Sequence, residues 1–388
     1  MRARQDIRFG STQLADSITR RDFIRTSSMA AIGAAAALGA GFSSAGGAAD
    51  RLTVNGLPAT VFGRTGLKVT RISFGGILLN DPPVLLHAID QGMNLVHTSP
   101  GYQNGRSIEA FGRIFKTKGI RDKLVLALKA RPEKLDEGLK LLNTDYVDFL
   151  IPPMDSIHEI SDPLLRENFE KAREAGKCGH MGFACHTHTA EILDRTRELG
   201  FYDVILMSYA SKSPAFLDAL QRVREAGIGI LAMKGLPKRA SENPGEEERS
   251  LVSSLCTSMV ERYHAHTVLA SMASFQAVEM YREILETRLG YHNRMLEDRY
   301  WAGQKGNYCA MCGNCSGFCP QGVEISDIVR YRMYYKDYGL TGYARAEYAA
   351  LNKECSALSC QECGLCEQVC TRQLPLREML REAHTLLG

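Results

Sequence analysis

The chain has 388 residues, of which 45% are hydrophobic and 23% charged, the balance of a globular protein with room for one large core and a smaller second unit. Disordered, collagen-like and coiled-coil chains are excluded. The net charge is +3, but residues 1–49 hold six Arg and three Asp; once these are set aside from the 47 basic and 44 acidic groups, the remainder balances at 41 and 41. A body without a basic excess is not that of a nucleic-acid-binding protein. Beyond residue 50 no uninterrupted apolar run is long enough for a membrane helix.

The first fifty residues read as an address. Thr19-Arg20-Arg21-Asp22-Phe23-Ile24-Arg25 precedes the Ala- and Gly-rich apolar stretch Met29–Phe42 and a small-residue zone ending Gly46-Gly47-Ala48-Ala49. Basic region, apolar region and small-residue cleavage zone make a bacterial signal peptide. The paired Arg followed by Phe resembles the twin-arginine export signal; a disordered basic arm or an ordinary secretory signal is the alternative. The expected partner is the twin-arginine export machinery, and the expected location is periplasmic or otherwise extracytoplasmic.

From about residue 58 a rhythm sets in. Val61–Val69 reads as a short hairpin with Gly at its turn. Eight apolar runs follow: Ile72–Gly76, Leu95–Thr98, Leu124–Lys129, Val147–Ile151, Gly179–Ala184, Val204–Tyr209, Gly229–Met233 and Val268–Met272. They do not alternate with polar residues, as expected of strands buried on both faces of a parallel sheet. Between them, amphipathic periodicity predicts helices over Pro83–Met93, Ser107–Lys118, Lys134–Leu142, Leu164–Ala175, Ala190–Leu199, Pro214–Ala226, Leu251–His264 and Phe275–Leu289. Eight such units predict an α/β fold, a (β/α)8 TIM barrel over 58–295. The open doubly wound alternative lacks a G-x-G-x-x-G turn.

The hairpin with Ile72-Ser73-Phe74-Gly75-Gly76, then Ala88-Ile89-Asp90-Gln91-Gly92-Met93-Asn94, Thr98–Ser107 and Leu142–Asp148 with Ala175-Gly176-Lys177, resembles the aldo-keto reductase family in order from about 60 to 290. The resemblance implies a tetrad of Asp, Tyr, Lys and His at the carboxyl ends of the strands. In it the Tyr gives a proton to a carbonyl that takes hydride from a nicotinamide, here NADP(H). The Tyr falls on Tyr102 and the Lys on Lys129, whereas the Asp position holds His97 and the His position Pro153. Where the family holds the carboxamide stand Ala184 and Cys185. Tyr209 matches the aromatic that stacks on the nicotinamide, and Ser274 is the main polar residue of Thr267–Val278, which has no Arg, Lys or Asn. His97, His180, Cys185, His186 and His188 also offer transition-metal ligand types; a loop His pair beside a buried thiol is the alternative.

Twelve cysteines are present, and eight form two runs: Cys309-x2-Cys312-x2-Cys315-x3-Cys319-Pro320 and Cys360-x2-Cys363-x2-Cys366-x3-Cys370. Both have the spacing of bacterial ferredoxins, in which the fourth Cys crosses to the other cluster. One 4Fe-4S cluster is thus expected on Cys309, Cys312, Cys315 and Cys370, a second on Cys360, Cys363, Cys366 and Cys319. A pair of four-thiolate zinc sites is the alternative. Helices are predicted over Ile325–Tyr338, Tyr343–Asn352 and Leu376–Leu387, making residues 301–388 a small α-helical dicluster ferredoxin domain. Ferredoxin-fused aldo-keto reductases are similar along most of the chain.

A hydride carries two electrons, whereas each cubane passes one. Two readings follow. The first is an exported iron-sulfur oxidoreductase acting on a small-molecule carbonyl or alcohol, with relay through two clusters to a redox partner protein. The second is an electron-transfer or partner-docking subunit whose barrel no longer performs nicotinamide-dependent hydride transfer.

Overall fold

A computed structural model describes residues 52–388 apart from 118, 188, 211–212, 238–243 and 289. The expected export signal, residues 1–49, lies outside the described residues, as does His188. Strands β1 (Thr53–Val54), β2 (Leu57–Val61) and β3 (Lys68–Thr70) form an antiparallel sheet, so the hairpin is present with one short strand added. Eight parallel strands follow: β4 (Ile72–Gly75), β5 (Leu95–Thr98), β6 (Val125–Leu128), β7 (Val147–Leu150), β8 (Cys178–Cys185), β9 (Val204–Ser208), β10 (Gly229–Met233) and β11 (Thr267–Ser271). They close in sequence order, β11 pairing back onto β4. Every expected strand is found, its ends within a residue of the run that announced it.

The reason is burial on both faces. Inward, Leu95, Val125, Phe149, Leu206 and Leu231 fill the barrel, and Phe62 closes its floor with its ring stacked 5.2 Å from that of Phe149. Outward, Phe74, Leu126, Phe183 and Ile230 meet the surrounding helices. Those helices fall where the periodicity put them, with two changes. Leu251–His264 becomes Glu246–Thr257 closed by a π-helical turn, Ser258–Arg262. It starts earlier because Glu246, Glu247 and Glu248 favour the positive end of the helix dipole. The last barrel helix, Phe275–Glu283, likewise runs into a π turn, Ile284–Arg288.

The C-terminal segment is helical. It contains the three expected helices, Ile325–Lys336, Thr341–Ala349 and Leu376–Leu387, and is preceded by Arg294–Gly303, which the periodicity did not announce. Its apolar cluster joins Tyr331, Met333, Leu376 and Leu380 to barrel residues Leu78, Tyr102 and Ala210. Barrel and module belong to one compact unit. No helix among the described residues is long and apolar enough to cross a membrane.

Candidate functional site

The module sits on the carboxyl ends of the barrel strands, where barrels of this kind keep their chemistry. Three contacts fix it there. The Arg330 guanidinium donates to Asp155 at 3.2 Å and also pairs with Asp327 at 2.9 Å. Arg372 donates to the carbonyl of Ala210 at 3.0 Å. Gly342 approaches Asn104 so closely that a Cβ would lie 2.4 Å from its amide nitrogen, so any larger residue would have to displace that side chain.

Tyr102 follows β5 and opens a short turn in which Gln103, Asn104 and Gly105 all have positive φ. Its ring is buried, edge-on to His97 at 5.7 Å and to Tyr343 of the module at 6.0 Å. Lys129 directly follows β6, its carbonyl accepting from the Ser99 hydroxyl at 2.8 Å. Its ammonium lies 6.0 Å from the Tyr102 ring centroid, and no hydrogen bond joins the two among the described residues. His97, in β5, is 1% exposed and its Nε2 has no hydrogen-bond partner. Pro153 extends β7 toward β8, bridging to Ala184.

Lys129, Asp155, His186, Arg330, Tyr334 and Glu347 line one open cleft of about 390 Å³ between barrel and module. Burial and the Arg330 charge push the Lys129 ammonium down to about 8, with Glu347 and Asp155 holding it from falling further. Burial, then the Lys129 charge, brings His97 down to about 3, so its imidazole is neutral. Burial raises Tyr102 well above its ordinary value, Tyr334 and Glu347 adding to the rise. Burial would also raise the Asp155 carboxyl. Contact with His186 and Arg330, and N–H donors of the His186–Thr187 backbone, instead hold it well below the carboxylate range. Arg330, Asp155 and Glu347 were not singled out from sequence; the Asp327–Arg330 and Tyr343–Glu347 spacings on helices were the available signals.

Two residues matched to nicotinamide binding lie elsewhere. Tyr209 is fully buried, its hydroxyl donating to the Tyr263 carbonyl at 2.9 Å and its ring edge-on to Phe216. Ser274 caps the Phe275–Glu283 helix by accepting from the Ala277 N–H. Neither lines the cleft. Cys185 is buried, its thiol on the Thr187 carbonyl.

The two cysteine runs share a backbone. Met311 and Gly313 of the first, and Glu362 and Gly364 of the second, all have φ between 53° and 80°, turns that aim successive N–H groups at one point. Cys319, Cys360, Cys363 and Cys366 line a single cavity. Cys312, Cys315 and Cys370 lie within electrostatic reach of Cys309. The Met311 and Leu374 N–H groups donate to the sulfurs of Cys309 and Cys370 at 3.3 and 3.4 Å. All twelve cysteines are free of disulfides. Among the described residues no group of three His, Cys, Asp or Glu side chains is arranged to hold a single metal ion.

Comparison with known proteins bears on the barrel. The family model "Aldo/keto reductase family" matches residues 82–234. The aldo-keto reductase YhdN of Bacillus subtilis (strain 168) is 35% identical over 78 residues, 16% of this chain, and the match spans only 24% of that protein's length. Among solved structures, the holo form of aldo-keto reductase AKR11C1 from Bacillus halodurans is 17% identical with a TM-score of 0.51, covering 64% of this chain and 96% of that one. An aldo-keto reductase from Klebsiella pneumoniae in complex with NADPH is 19% identical with a TM-score of 0.50, over 63% and 94% of the two chains. At such identity the solved structures show the fold alone, and the similarity to the aldo/keto reductase family model is confined to residues 82–234 of the barrel.

Proposed function

We propose that the chain is an iron-sulfur oxidoreductase that interconverts a small carbonyl and its alcohol in the cleft between barrel and module. The observation that carries this reading is Lys129. It is a buried amine with no ion pair among the described residues, poised at about 8, and opens on a cleft that the cysteine-bearing module helps to wall. A proton carrier works best with a pKa near the operating pH, and Lys129 has one. Tyr102, pushed the other way, stays protonated and serves as a hydroxyl donor beside it.

The cysteine quartets suit 4Fe-4S clusters. The donor sets are all thiol, the two turns repeat the same unusual backbone, and N–H groups already point at sulfur. Cys309, Cys312, Cys315 and Cys370 would hold one cluster, and Cys360, Cys363, Cys366 and Cys319 the other. Bound there, the clusters supply single electrons, two of which with two protons convert a carbonyl to an alcohol. A nicotinamide does not fit as readily, because Tyr209 and Ser274 are spent on core packing and helix capping. No step is derived through it.

Export by the twin-arginine route belongs to the same proposal, since Arg20 and Arg21 stand before an apolar stretch and clusters are assembled before export. A redox partner protein would exchange electrons with the module. The electron-transfer reading is favoured by the absence of a Lys129–Tyr102 hydrogen bond among the described residues. The deciding experiment uses anaerobically purified protein: iron and sulfide content, small molecules released on denaturation, and turnover of a carbonyl panel with a one-electron dye as donor. About eight iron per chain with turnover lost in Lys129→Met supports the oxidoreductase. Full iron without turnover on any carbonyl leaves the electron-transfer subunit.

A further inference from the structure

We infer that Glu347 of the helical module is the charge partner of Lys129, filling from outside the barrel the acid position that His97 has vacated within it. This rests on the reading of Lys129 as the proton carrier of the cleft.

A buried ammonium needs a nearby anion or it sheds its proton. The residue at the acid position of the barrel cannot supply one, since His97 is buried and neutral. Glu133 and Glu137 also line the cleft, Glu137 paired with Lys134 at 3.0 Å, but the acids besides Glu347 that bear most on Lys129 are Asp155 and Asp327, and both are already committed. Asp155 accepts from Arg330 and from the Thr187 backbone N–H, at 3.2 and 3.1 Å. Asp327 is held by Arg330 at 2.9 Å. Glu347 has no hydrogen bond or ion pair among the described residues, and it lines the same cleft as Lys129.

The helix explains how it gets there. Tyr343 and Glu347 are four apart on Thr341–Ala349 and so share a face. Tyr343 is anchored edge-on to Tyr102 at 6.0 Å, and the neighbouring Gly342 presses against Asn104. One turn further along, that face presents Glu347 to the end of β6. The influence is mutual: Glu347 supports the charge on Lys129 more than any other acid does, and Lys129 is the strongest cation acting on Glu347. Arg330, Lys234 and His186 also face this space, with Arg131 and Lys134 along the same cleft, as do the hydroxyls of Tyr102, Tyr334 and Tyr343. Burial and Arg330 push Lys129 down, which leaves Glu347 the principal counterweight. Glu347 is therefore a positioning residue, acting through Lys129.

The test reads Lys129 directly. Whole protein is labelled with trace acetic anhydride across pH 6 to 10, and Lys129 acetylation is followed by peptide mass spectrometry against exposed lysines in the same sample. Wild type should label with a midpoint near pH 8. Glu347→Gln should lower the midpoint, raising Lys129 labelling at pH 7 by about three- to fivefold, the equivalent of half a pKa unit to one unit. An unchanged midpoint overturns the proposal. If Glu347→Gln does not fold, the reciprocal variant Lys129→Met is read by carbodiimide labelling of Glu347, which should extend to higher pH; no extension overturns it equally. Neither readout needs substrate. Failure of the catalytic reading would show instead as retained turnover in Lys129→Met, with the titrations unaffected.

Discussion

Arg330 is the most consequential contact between module and barrel, and its removal has a calculable effect. Its side chain is 8% exposed and neutralises Asp155 from the barrel and Asp327 from its own helix. Arg330→Met keeps most of the volume but leaves both half-buried carboxylates, whose side chains are 25% exposed, without that cation. Breaking a fully buried pair from one side costs about 3–5 kcal/mol and an exposed one at most about 1 kcal/mol, so for these half-buried pairs the expected loss lies between, at about 1–3 kcal/mol. The pH dependence has a definite sign. In the wild type, Asp155 is depressed, so its contribution is present above the unfolded carboxyl pKa and is lost only as pH falls through its lower folded value. In the variant, burial acts unopposed by Arg330, the folded carboxyls rise, and the penalty is full at pH 7 but shrinks as they protonate toward pH 5. Urea unfolding of anaerobic protein, followed by far-UV circular dichroism at both pH values, measures it. A loss below about 1 kcal/mol, or one that grows as pH falls, would refute the reasoning.

Gly229→Ala places a Cβ 2.2 Å from the Phe62 ring at the barrel floor, so overpacking should cost about 1–3 kcal/mol, seen as a lowered Tm with the cleft chemistry retained. His97→Gln should leave the pH profile of turnover unmoved between pH 5 and 9, because the imidazole at about 3 is neutral throughout; a lost limb would show that His97 titrates in turnover. Cys363→Ser, at an exposed quartet position, should lower iron to about four per chain by inductively coupled plasma analysis, and unchanged iron would remove Cys363 from the ligand set. Replacing Arg20 and Arg21 together by Lys should retain the protein in the cytoplasmic fraction, read by immunoblot of fractionated cells; export undiminished would rule out the twin-arginine route.

The barrel was legible because each strand is buried on both faces, which compels an unbroken apolar run such as Val204–Ser208 or Gly229–Met233 and leaves little freedom at its ends. Helix Arg294–Gly303 was not legible, since Met295 is exposed and Glu297 buried, the reverse of the usual pattern. Glu297 tolerates burial by accepting from the hydroxyls of Ser254 and Ser258, a long-range arrangement that no local periodicity records. At the site, Tyr102 and Lys129 could be matched by resemblance. Arg330 and Glu347 look in sequence like ordinary surface charges of amphipathic helices, and only docking over the barrel makes them interior. Tyr209 shows the converse: its position at a strand end pointed to a ligand face, yet its hydroxyl and ring are used up by Tyr263 and Phe216.

The apolar cluster that runs from Leu376 and Tyr331 into Leu78, Tyr102 and Ala210 has a bearing on ancestry. A segment whose core is partly owned by its neighbour cannot be moved intact to another scaffold, nor discarded without baring what it covered. A substitution at Tyr102 is felt in the packing of Tyr343, and one at Ala210 disturbs the carbonyl that Arg372 grips. The two halves of the chain are therefore bound to drift together, each setting the substitutions the other can accept, and they form one heritable unit where the cysteine spacing alone would have drawn a seam.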